Sequence, residues 1–382
     1  MVKEVKLPIL RKLVSESTKY DCIPTIAIQH LKPDTYQFFK ELKNAGFEPI
    51  IISGIEYSTD PEVLKQLEED GYKITNPKNT DLFNPEYWDK FAGNELIKWN
   101  KEKQEYIILE DGGYIGTTFH KSRKPYLETC KGVVEQTKNG YWKYKELEKS
   151  GELSIPVFTV ANSKLKELVE APEVGLAIAK SLDQNLDKLN DSVNHKTIMI
   201  LGFGSIGKTV AKALKERNVA ELLIFDSDSV KLIEARFNNF KTIQKEEGLQ
   251  KADIVIGCTG RQSLDPEDYD LVKDGVILAN GTSKKVEFDM QWLTDNSKNT
   301  KTKGRIIDFE ILSKKITVLA KGEPINFEAN VSVSPETIDI VISEMFVCMQ
   351  RIMKGGLENK VYTISIEDEQ KISDLWLEFY RN

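Results

Sequence analysis

Thr197-Ile-Met-Ile-Leu-Gly-Phe-Gly-Ser-Ile-Gly207 is the stretch that decides the fold of this 382-residue chain. Its first five residues are apolar enough to predict a buried strand, and residues 208–217 have the pattern of a helix. Between them, Gly202 permits a tight turn, Gly204 lets the backbone approach a phosphate, and Gly207 lets the helix pack closely on the strand. The stretch therefore predicts the turn of a dinucleotide-binding βαβ unit.

A carboxylate follows the next strand. The run Leu-Leu-Ile-Phe ends at Asp226, about 20 residues beyond the glycines, where an acidic side chain hydrogen-bonds the ribose hydroxyls of an adenosine. Such a carboxylate would repel a 2′-phosphate, so the pattern favours NAD over NADP. Two more strands, residues 253–258 and 276–279, are closed by Thr259-Gly260 and Asn280-Gly281, at the sheet edge where ligands bind in open parallel sheets.

The first half of the chain also alternates strands with helices. Helical patterns occur at residues 34–45 and 61–70. The strand-like runs are residues 23–29, 48–53, 106–110, 132–134 and 156–160. This alternation is typical of parallel β-α-β units and predicts a second α/β domain.

The expected fold class is α/β, with two domains joined by two hinge helices. We expect an NAD-binding Rossmann domain at residues 190–335. A substrate-binding, catalytic domain is expected at residues 1–172, completed by residues 354–382. The amphipathic segments 173–189 and 336–353 are the expected hinges.

Composition narrows the class of protein. A net charge of −7 argues against a nucleic-acid partner, because such proteins usually carry a basic excess. There is no apolar run of about 20 residues, as a membrane span requires, and the charged N-terminus has no secretory pattern. The four cysteines form no CxxC pair, and with three histidines the sequence predicts no metal site. We therefore expect a cytoplasmic protein with free thiols.

Six segments, in order, resemble the S-adenosylhomocysteine hydrolase (adenosylhomocysteinase) family. They are ILEDGG (108–113), GVVEQTKNG (132–140), IPVFTVANSKLK (155–166), GFGSIGK (202–208), KKVEFD (284–289) and LAKGEPIN (319–326). The resemblance extends from about residue 23 to residue 380 and identifies the chain as a distant, divergent member of that family.

The resemblance implies an activity and a cofactor. Enzymes of this family hold NAD tightly and use it to oxidise the 3′-hydroxyl of a nucleoside substrate. The resulting ketone acidifies the neighbouring C–H, so that a base can remove the proton and the thioether is eliminated; water then adds and the hydride returns. NAD is thus a catalyst in these enzymes. The family also forms oligomers, so a homodimer or homotetramer is expected.

The resemblance also implies roles for particular residues. The expected catalytic residues are Asp111, Lys166 and His30, and the expected substrate-binding residues are Ser58, Thr59 and Gln136. The expected cofactor-binding residues are Gly202, Gly204, Ser205, Ile206, Gly207, Asp226, Thr259, Gly260, Asn280, Asn326 and Thr137.

Several of these residues also have a purely structural interpretation. The run from Ser58 to Pro61 is typical of a helix N-cap with proline in the first turn. Asp111 before two glycines suits a turn, and His30 and Lys166 could be a satisfied strand-end histidine and a solvated lysine. His120 and His195 are expected to be structural or surface residues, and Cys258 to be a buried, inert thiol.

The departures from the family concern the substrate side more than the nucleotide side. A family glutamate is Gln136 here, and two family threonines are Lys138-Asn139. An aspartate–asparagine pair is Glu170-Ala171, a cysteine is Gly175, a histidine is Ser283, and a His-Pro pair is Ser334-Pro335. The chain also ends without the family's long tail. An amide or a hydroxyl cannot exchange protons at neutral pH, so these residues do not favour ordinary adenosylhomocysteine hydrolysis.

Three functions therefore stay open on the sequence. The first is an NAD-dependent adenosylhomocysteinase-like enzyme that oxidises a hydroxyl of a nucleoside-like substrate. The second is a dehydrogenase that exchanges its NAD and acts on a small acid or alcohol. The third is a catalytically inert protein that binds NAD or a nucleoside.

Overall fold

The computed structural model describes residues 2–282, 284–328 and 332–381. It divides the chain into two compact units. The first contains residues 1–166 and 334–382, and the second contains residues 167–333. Each unit is an α/β layer structure around its own sheet, as the sequence predicts.

Fourteen α-helices and fifteen strands lie in these described residues. The helices are α1 (Pro8–Glu16), α2 (Pro33–Asn44), α3 (Pro61–Glu69), α4 (Pro85–Phe91), α5 (Gly93–Glu102), α6 (Ile115–Ser122), α7 (Lys138–Lys149), α8 (Ala171–Lys188), α9 (Ser205–Lys215), α10 (Ser229–Phe237), α11 (Lys245–Lys251), α12 (Met290–Asn296), α13 (Pro335–Lys354) and α14 (Ile366–Tyr380). The strands are β1 (Thr25–Gln29), β2 (Ile50–Gly54), β3 (Lys73–Thr75), β4 (Tyr106–Glu110), β5 (Cys130–Glu135), β6 (Val157–Thr159), β7 (Thr197–Leu201), β8 (Glu221–Phe225), β9 (Lys241–Thr242), β10 (Ile254–Gly257), β11 (Val276–Asn280), β12 (Asn299–Lys303), β13 (Ile306–Ile311), β14 (Lys314–Val318) and β15 (Val361–Thr363).

The first unit has a seven-stranded sheet in the order β15-β6-β5-β4-β1-β2-β3. All of its strand pairs are parallel. Strands β1, β2 and β4 are buried along their whole length, because helices cover both faces of such sheets. The strand order reverses between β1 and β4, which places a crevice beyond their carboxyl ends.

The second unit has an eight-stranded sheet in the order β12-β13-β14-β11-β10-β7-β8-β9. From β14 to β9 the neighbours are parallel. Counted along the chain, these six strands have the order 3-2-1-4-5-6 of dinucleotide-binding sheets. The predicted Rossmann fold is therefore confirmed, with its crevice between β7 and β10.

The segment 296–304, which the sequence predicts as a surface loop or a hairpin, contains the exposed edge strand β12. This strand pairs antiparallel with β13, and β13 pairs antiparallel with β14. The two segments predicted as hinges fall in different units, since α8 belongs to the second and α13 to the first. Their hinge role stays a prediction.

The N-terminal helix α1 is held by a residue from the other end of the chain. Its own first residues provide no side-chain cap. The buried carboxylate of Asp339, on α13, instead accepts hydrogen bonds from the amides of Ile9 (2.9 Å) and Leu10 (3.1 Å) and from the Tyr380 hydroxyl (3.0 Å). Burial raises the pKa of Asp339 to about 6. This single carboxylate links α1, α13 and α14.

Among the described helices, none combines the length and the apolar character that a bilayer crossing requires.

Candidate active site and dinucleotide site

His30 and Asp111 lie at the point where the strand order of the first unit reverses. His30 follows β1 directly, and Asp111 follows β4 directly. Asp111 is almost completely buried, and its Oδ2 lies 3.5 Å from His30 Nε2. The other ring nitrogen of His30 is hydrogen-bonded to the hydroxyl of Ser58, which follows β2. Three predicted site residues from three neighbouring strands are thus brought together.

Ser58 and Thr59 do not cap the helix that follows them. Asp60 is the N-cap of α3, and it accepts a hydrogen bond from the amide of Glu62 at 2.9 Å. Thr59 donates to the carbonyl of Ile55 and contacts the side chain of Asn76. Of the Ser-Thr pair, Ser58 is therefore the residue in direct contact with the His30 side chain.

Lys166 and Gln136 are also neighbours. The Lys166 ammonium donates to the Gln136 carbonyl at 3.0 Å. The side-chain oxygen of Gln136 is buried and accepts no hydrogen bond within the described part of the chain. Buried acceptors without a donor are rare in folded proteins. The hydrogen-bonding capacity of this oxygen is therefore unfilled within the described residues.

A buried glutamate organises the turn that carries Asp111. Glu135, the last residue of β5, accepts hydrogen bonds from the amides of Gly112 (2.9 Å) and Gly113 (2.7 Å). It also accepts from the amide and the hydroxyl of Thr137. A side chain on Gly140 would lie 2.1 Å from this carboxylate, so only glycine fits there. Glu135 thus connects the ends of β4 and β5.

A second carboxylate lies beside it. Glu110 pairs with Glu135 across β4 and β5, and it accepts hydrogen bonds from the Gly116 amide and the Tyr144 hydroxyl. Burial and the neighbouring charge of Glu135 raise the pKa of Glu110 to about 7. Two adjacent buried carboxyl groups rarely ionise together, so Glu110 holds a proton at neutral pH far more than an ordinary glutamate does.

The glycine loop of the second unit has the geometry that a pyrophosphate requires. Gly202 has a φ of +96°, which favours glycine, and a side chain on Gly207 would lie 1.9 Å from the Gly202 carbonyl oxygen. At Gly204, by contrast, a side-chain carbon would meet no atom within 4 Å. The space in front of the loop is therefore open, and Ser205 and Ile206 begin α9 behind it without a side-chain cap. Uncapped amides at a helix start bind anions.

Asp226 follows β8 and lies against the same loop. Its Oδ2 accepts a hydrogen bond from the Phe203 amide at 2.6 Å, and its Oδ1 accepts from the Asp228 amide. The carboxylate is partly exposed. Its position beside the glycines is that of an acidic residue which binds an adenosine ribose.

The carboxyl ends of β10 and β11 are joined through Glu287, a residue that sequence reasoning missed. The Glu287 carboxylate accepts hydrogen bonds from the amides of Thr259 and Gly260 and from the Thr282 hydroxyl. Asn280 accepts from the Thr282 amide at 2.9 Å and donates to two carbonyls. The run Lys-Lys-Val-Glu-Phe-Asp gives no local signal for this role, because only the fold brings its glutamate under the strand ends.

The structure also locates the other predicted residues. Thr137 lies in the first unit, where its hydroxyl caps α7, and Asn326 is buried and donates to Ser332. Ser283 lies outside the described residues. The presence of glycine at position 175 on α8 has a steric reason, since a side chain there would lie 2.4 Å from the Thr209 hydroxyl on α9. The binding roles expected for Thr137 and Asn326 stay predictions.

His120, His195 and Cys258 were not expected to take part in function, and the structure shows where each of them lies. His120 is buried, with its Nδ1 2.6 Å from the Gly116 carbonyl oxygen and its Nε2 accepting from the Ser154 amide, a structural arrangement. Burial lowers the pKa of His120. His195 is exposed. Cys258 is buried, which raises the pKa of its thiol, as expected for an inert cysteine.

Comparison with known proteins agrees with this geometry. Residues 176–332 match the family model of the NAD-binding domain of S-adenosyl-L-homocysteine hydrolase. The chain is similar to the adenosylhomocysteinase of Sulfolobus acidocaldarius, with 25% identity over 98% of this chain and 89% of that protein. It is similar to the S-inosyl-L-homocysteine hydrolase of Methanocaldococcus jannaschii, with 24% identity over 97% of this chain and 88% of the relative.

Among solved structures, a dipicolinate synthase of Bacillus subtilis is similar, with a TM-score of 0.44 and 10% identity over 88% of this chain and 99% of that one.

A Rossmann unit with an open glycine loop, together with this family match, defines an NAD-dependent enzyme. Its cofactor is NAD. More particularly, the chain is similar to S-adenosyl-L-homocysteine hydrolases along nearly its whole length, and its NAD-binding domain matches the model of that family.

Proposed function

We propose that this enzyme oxidises a hydroxyl group of a nucleoside-like substrate, and that hydrolysis of adenosylhomocysteine is not its main reaction. The buried, unsatisfied side-chain oxygen of Gln136 carries this proposal. It offers an acceptor to a hydroxyl or amino group of a substrate. Lys166 contacts the same residue, since its Nζ donates to the backbone carbonyl of Gln136 at 3.0 Å.

Several side chains of the protein take part in the proposed proton transfer. When bound, NAD supplies the hydride acceptor that oxidation of a hydroxyl needs. Lys166 must be in its neutral amine form to receive the proton of that hydroxyl. Asp111 and His30, 3.5 Å apart at the sheet edge, provide a second carboxylate–imidazole pair that can hold and move a proton. Ser58 fixes the orientation of the imidazole through its hydrogen bond.

The amide at position 136 argues against ordinary hydrolysis. Gln136 can donate and accept hydrogen bonds, but it cannot take up or release a proton at neutral pH. A general acid or base contributes about 10²–10⁴-fold to a rate. A chain with an amide here is therefore better suited to the oxidation step than to a full cycle of elimination and water addition.

The test uses the purified, full-length protein. Denaturation should release NAD, and addition of adenosine or inosine to the native protein should produce the NADH absorbance band without homocysteine release from the corresponding thioether. Lys166→Met should reduce the rate of NADH appearance by at least about 100-fold. Lys164→Met is the matched control, since this lysine is exposed two residues away.

The other outcomes contradict the proposal. Turnover of a small acid or alcohol that needs added NAD would indicate a dehydrogenase that exchanges its cofactor. Bound NAD with no absorbance change for any nucleoside would indicate an inert binding protein. A rate in Lys166→Met equal to that of Lys164→Met would remove Lys166 from the mechanism.

A further inference from the structure

Glu287 places a carboxyl group beneath the edge of the second sheet. The side chain is fully buried. Its Oε1 accepts hydrogen bonds from the amides of Thr259 (2.9 Å) and Gly260 (2.6 Å) and from the Thr282 hydroxyl (2.7 Å). Its Oε2 accepts from the Thr259 hydroxyl at 2.9 Å.

The hydrogen bonds to this carboxyl group favour its ionised form, whereas its burial disfavours that form. Backbone amides can only donate, so the two amides on Oε1 require an acceptor there. The pKa of Glu287 is raised by burial, while hydrogen bonds from Thr282, Gly260 and the Thr259 side chain act in the opposite direction. Gly257 makes room for the side chain, because a carbon added to it would lie 2.6 Å from Oε2.

The turn that Glu287 holds is in contact with the glycine loop. A side chain on Gly202 would lie 2.6 Å from the Cys258 carbonyl oxygen and 3.0 Å from the Thr259 nitrogen. The Thr259–Gly260 turn therefore forms the wall of the crevice opposite the loop. In a sheet of this order the strands β7 to β9 bind the adenosine half of a dinucleotide. The ends of β10 and β11, above Glu287, consequently face the nicotinamide half.

We propose that Glu287 is a positioning residue of the cofactor site that also makes the site prefer oxidised over reduced NAD. It holds the Thr259–Gly260 turn in place. Its charge favours a positively charged nicotinamide over the neutral, reduced ring. A residue with a structural role alone would affect both forms of the cofactor equally.

Competition between the two cofactor forms provides the test. The full-length protein is equilibrated with equal concentrations of NAD⁺ and NADH, separated from free cofactor, and denatured to measure both bound forms. Glu287→Gln keeps the size of the side chain and removes the charge. It should move the ratio of bound NAD⁺ to bound NADH toward NADH by about tenfold. This is the order of magnitude expected for one unit charge acting through a partly screened interior.

Two variants separate the effect of the Glu287 charge from its effect on the structure of the Thr259–Gly260 turn. Glu287→Asp keeps the charge, so total occupancy should fall while the bound ratio stays within about twofold of wild type. Thr282→Val removes a donor that stabilises the ionised carboxylate, so any change in its ratio should be toward NADH and smaller than that of Glu287→Gln.

An unchanged ratio in a folded Glu287→Gln protein would overturn the proposal. If that variant does not fold, a ratio that moves toward NADH by more than about twofold in Glu287→Asp, or toward NAD⁺ in Thr282→Val, overturns it equally. Because no substrate is added, these results do not depend on the proposed reaction.

Discussion

Glu110 should make the stability of the first unit depend on pH. Its pKa is raised to about 7, first by burial and then by the charge of Glu135, whereas the pKa of a glutamate in the unfolded chain stays near its ordinary value of 4.5. The folded chain therefore binds more protons than the unfolded chain between these values. It follows that the contribution of Glu110 is fully present below the unfolded pKa and is lost as pH rises toward 7.

The size of the effect follows from the two pKa values. A shift of one unit corresponds to about 1.4 kcal/mol. Integrated over the titration, ionisation of Glu110 should cost the folded state about 1 kcal/mol at pH 5 and about 3 kcal/mol at pH 8. Glu110→Gln cannot ionise, so its stability relative to wild type should improve by about 2–3 kcal/mol between these two pH values.

Urea unfolding followed by tryptophan fluorescence measures this effect. Trp88 and Trp99 are both buried in the first unit, and a Trp292→Phe background, which removes the tryptophan of the second unit, makes the signal report on the first. Glu102→Gln is the control, since Glu102 is exposed on α5. A free-energy difference between Glu110→Gln and wild type that is the same at pH 5 and pH 8 would refute the reasoning, because it would mean that Glu110 titrates alike in both states.

Two further predictions concern single carboxylates. Asp339→Ala leaves the first amides of α1 without an acceptor and should lower the free energy of unfolding by about 3 kcal/mol. The control Asp374→Ala, at an exposed position of α14, should change it by less than about 0.5 kcal/mol. Equal free energies of unfolding for the two variants in urea titrations would contradict the capping role of Asp339. Asp226→Asn should reduce the preference for NAD over NADP by at least about tenfold in binding titrations, and Asp228→Asn, which preserves a helix cap, should not.

The glycine loop and the strands named from the sequence were predictable because their signals are local, whereas the short strands β3, β9 and β15 were not predicted. Strand β7 begins and ends where the apolar run does. The helix after it starts at Ser205, earlier than the predicted residue 208, since glycine and serine are poor helix formers and conceal its first turn. The Rossmann order followed from the same alternation of strands and helices.

Contacts between distant residues were not predictable. The helix α1 is capped by Asp339, 330 positions away from Ile9, so nothing near Pro8 marks its start except the proline itself. The role of Glu287 depends in the same way on the meeting of two strand ends. At the candidate active site, the family resemblance suggested His30 and Asp111, but only the strand order explains why they meet.

Binding of NAD to a Gly204→Val variant tests the central claim most directly. The open space in front of Gly204 is where we expect the pyrophosphate to meet the start of α9. Valine would fill that space without disturbing the buried packing of Gly207, so the variant should keep its wild-type circular dichroism and melting temperature. We predict that its affinity for NAD falls by at least about 100-fold, the loss of a main phosphate contact. An affinity equal to that of wild type would contradict the account.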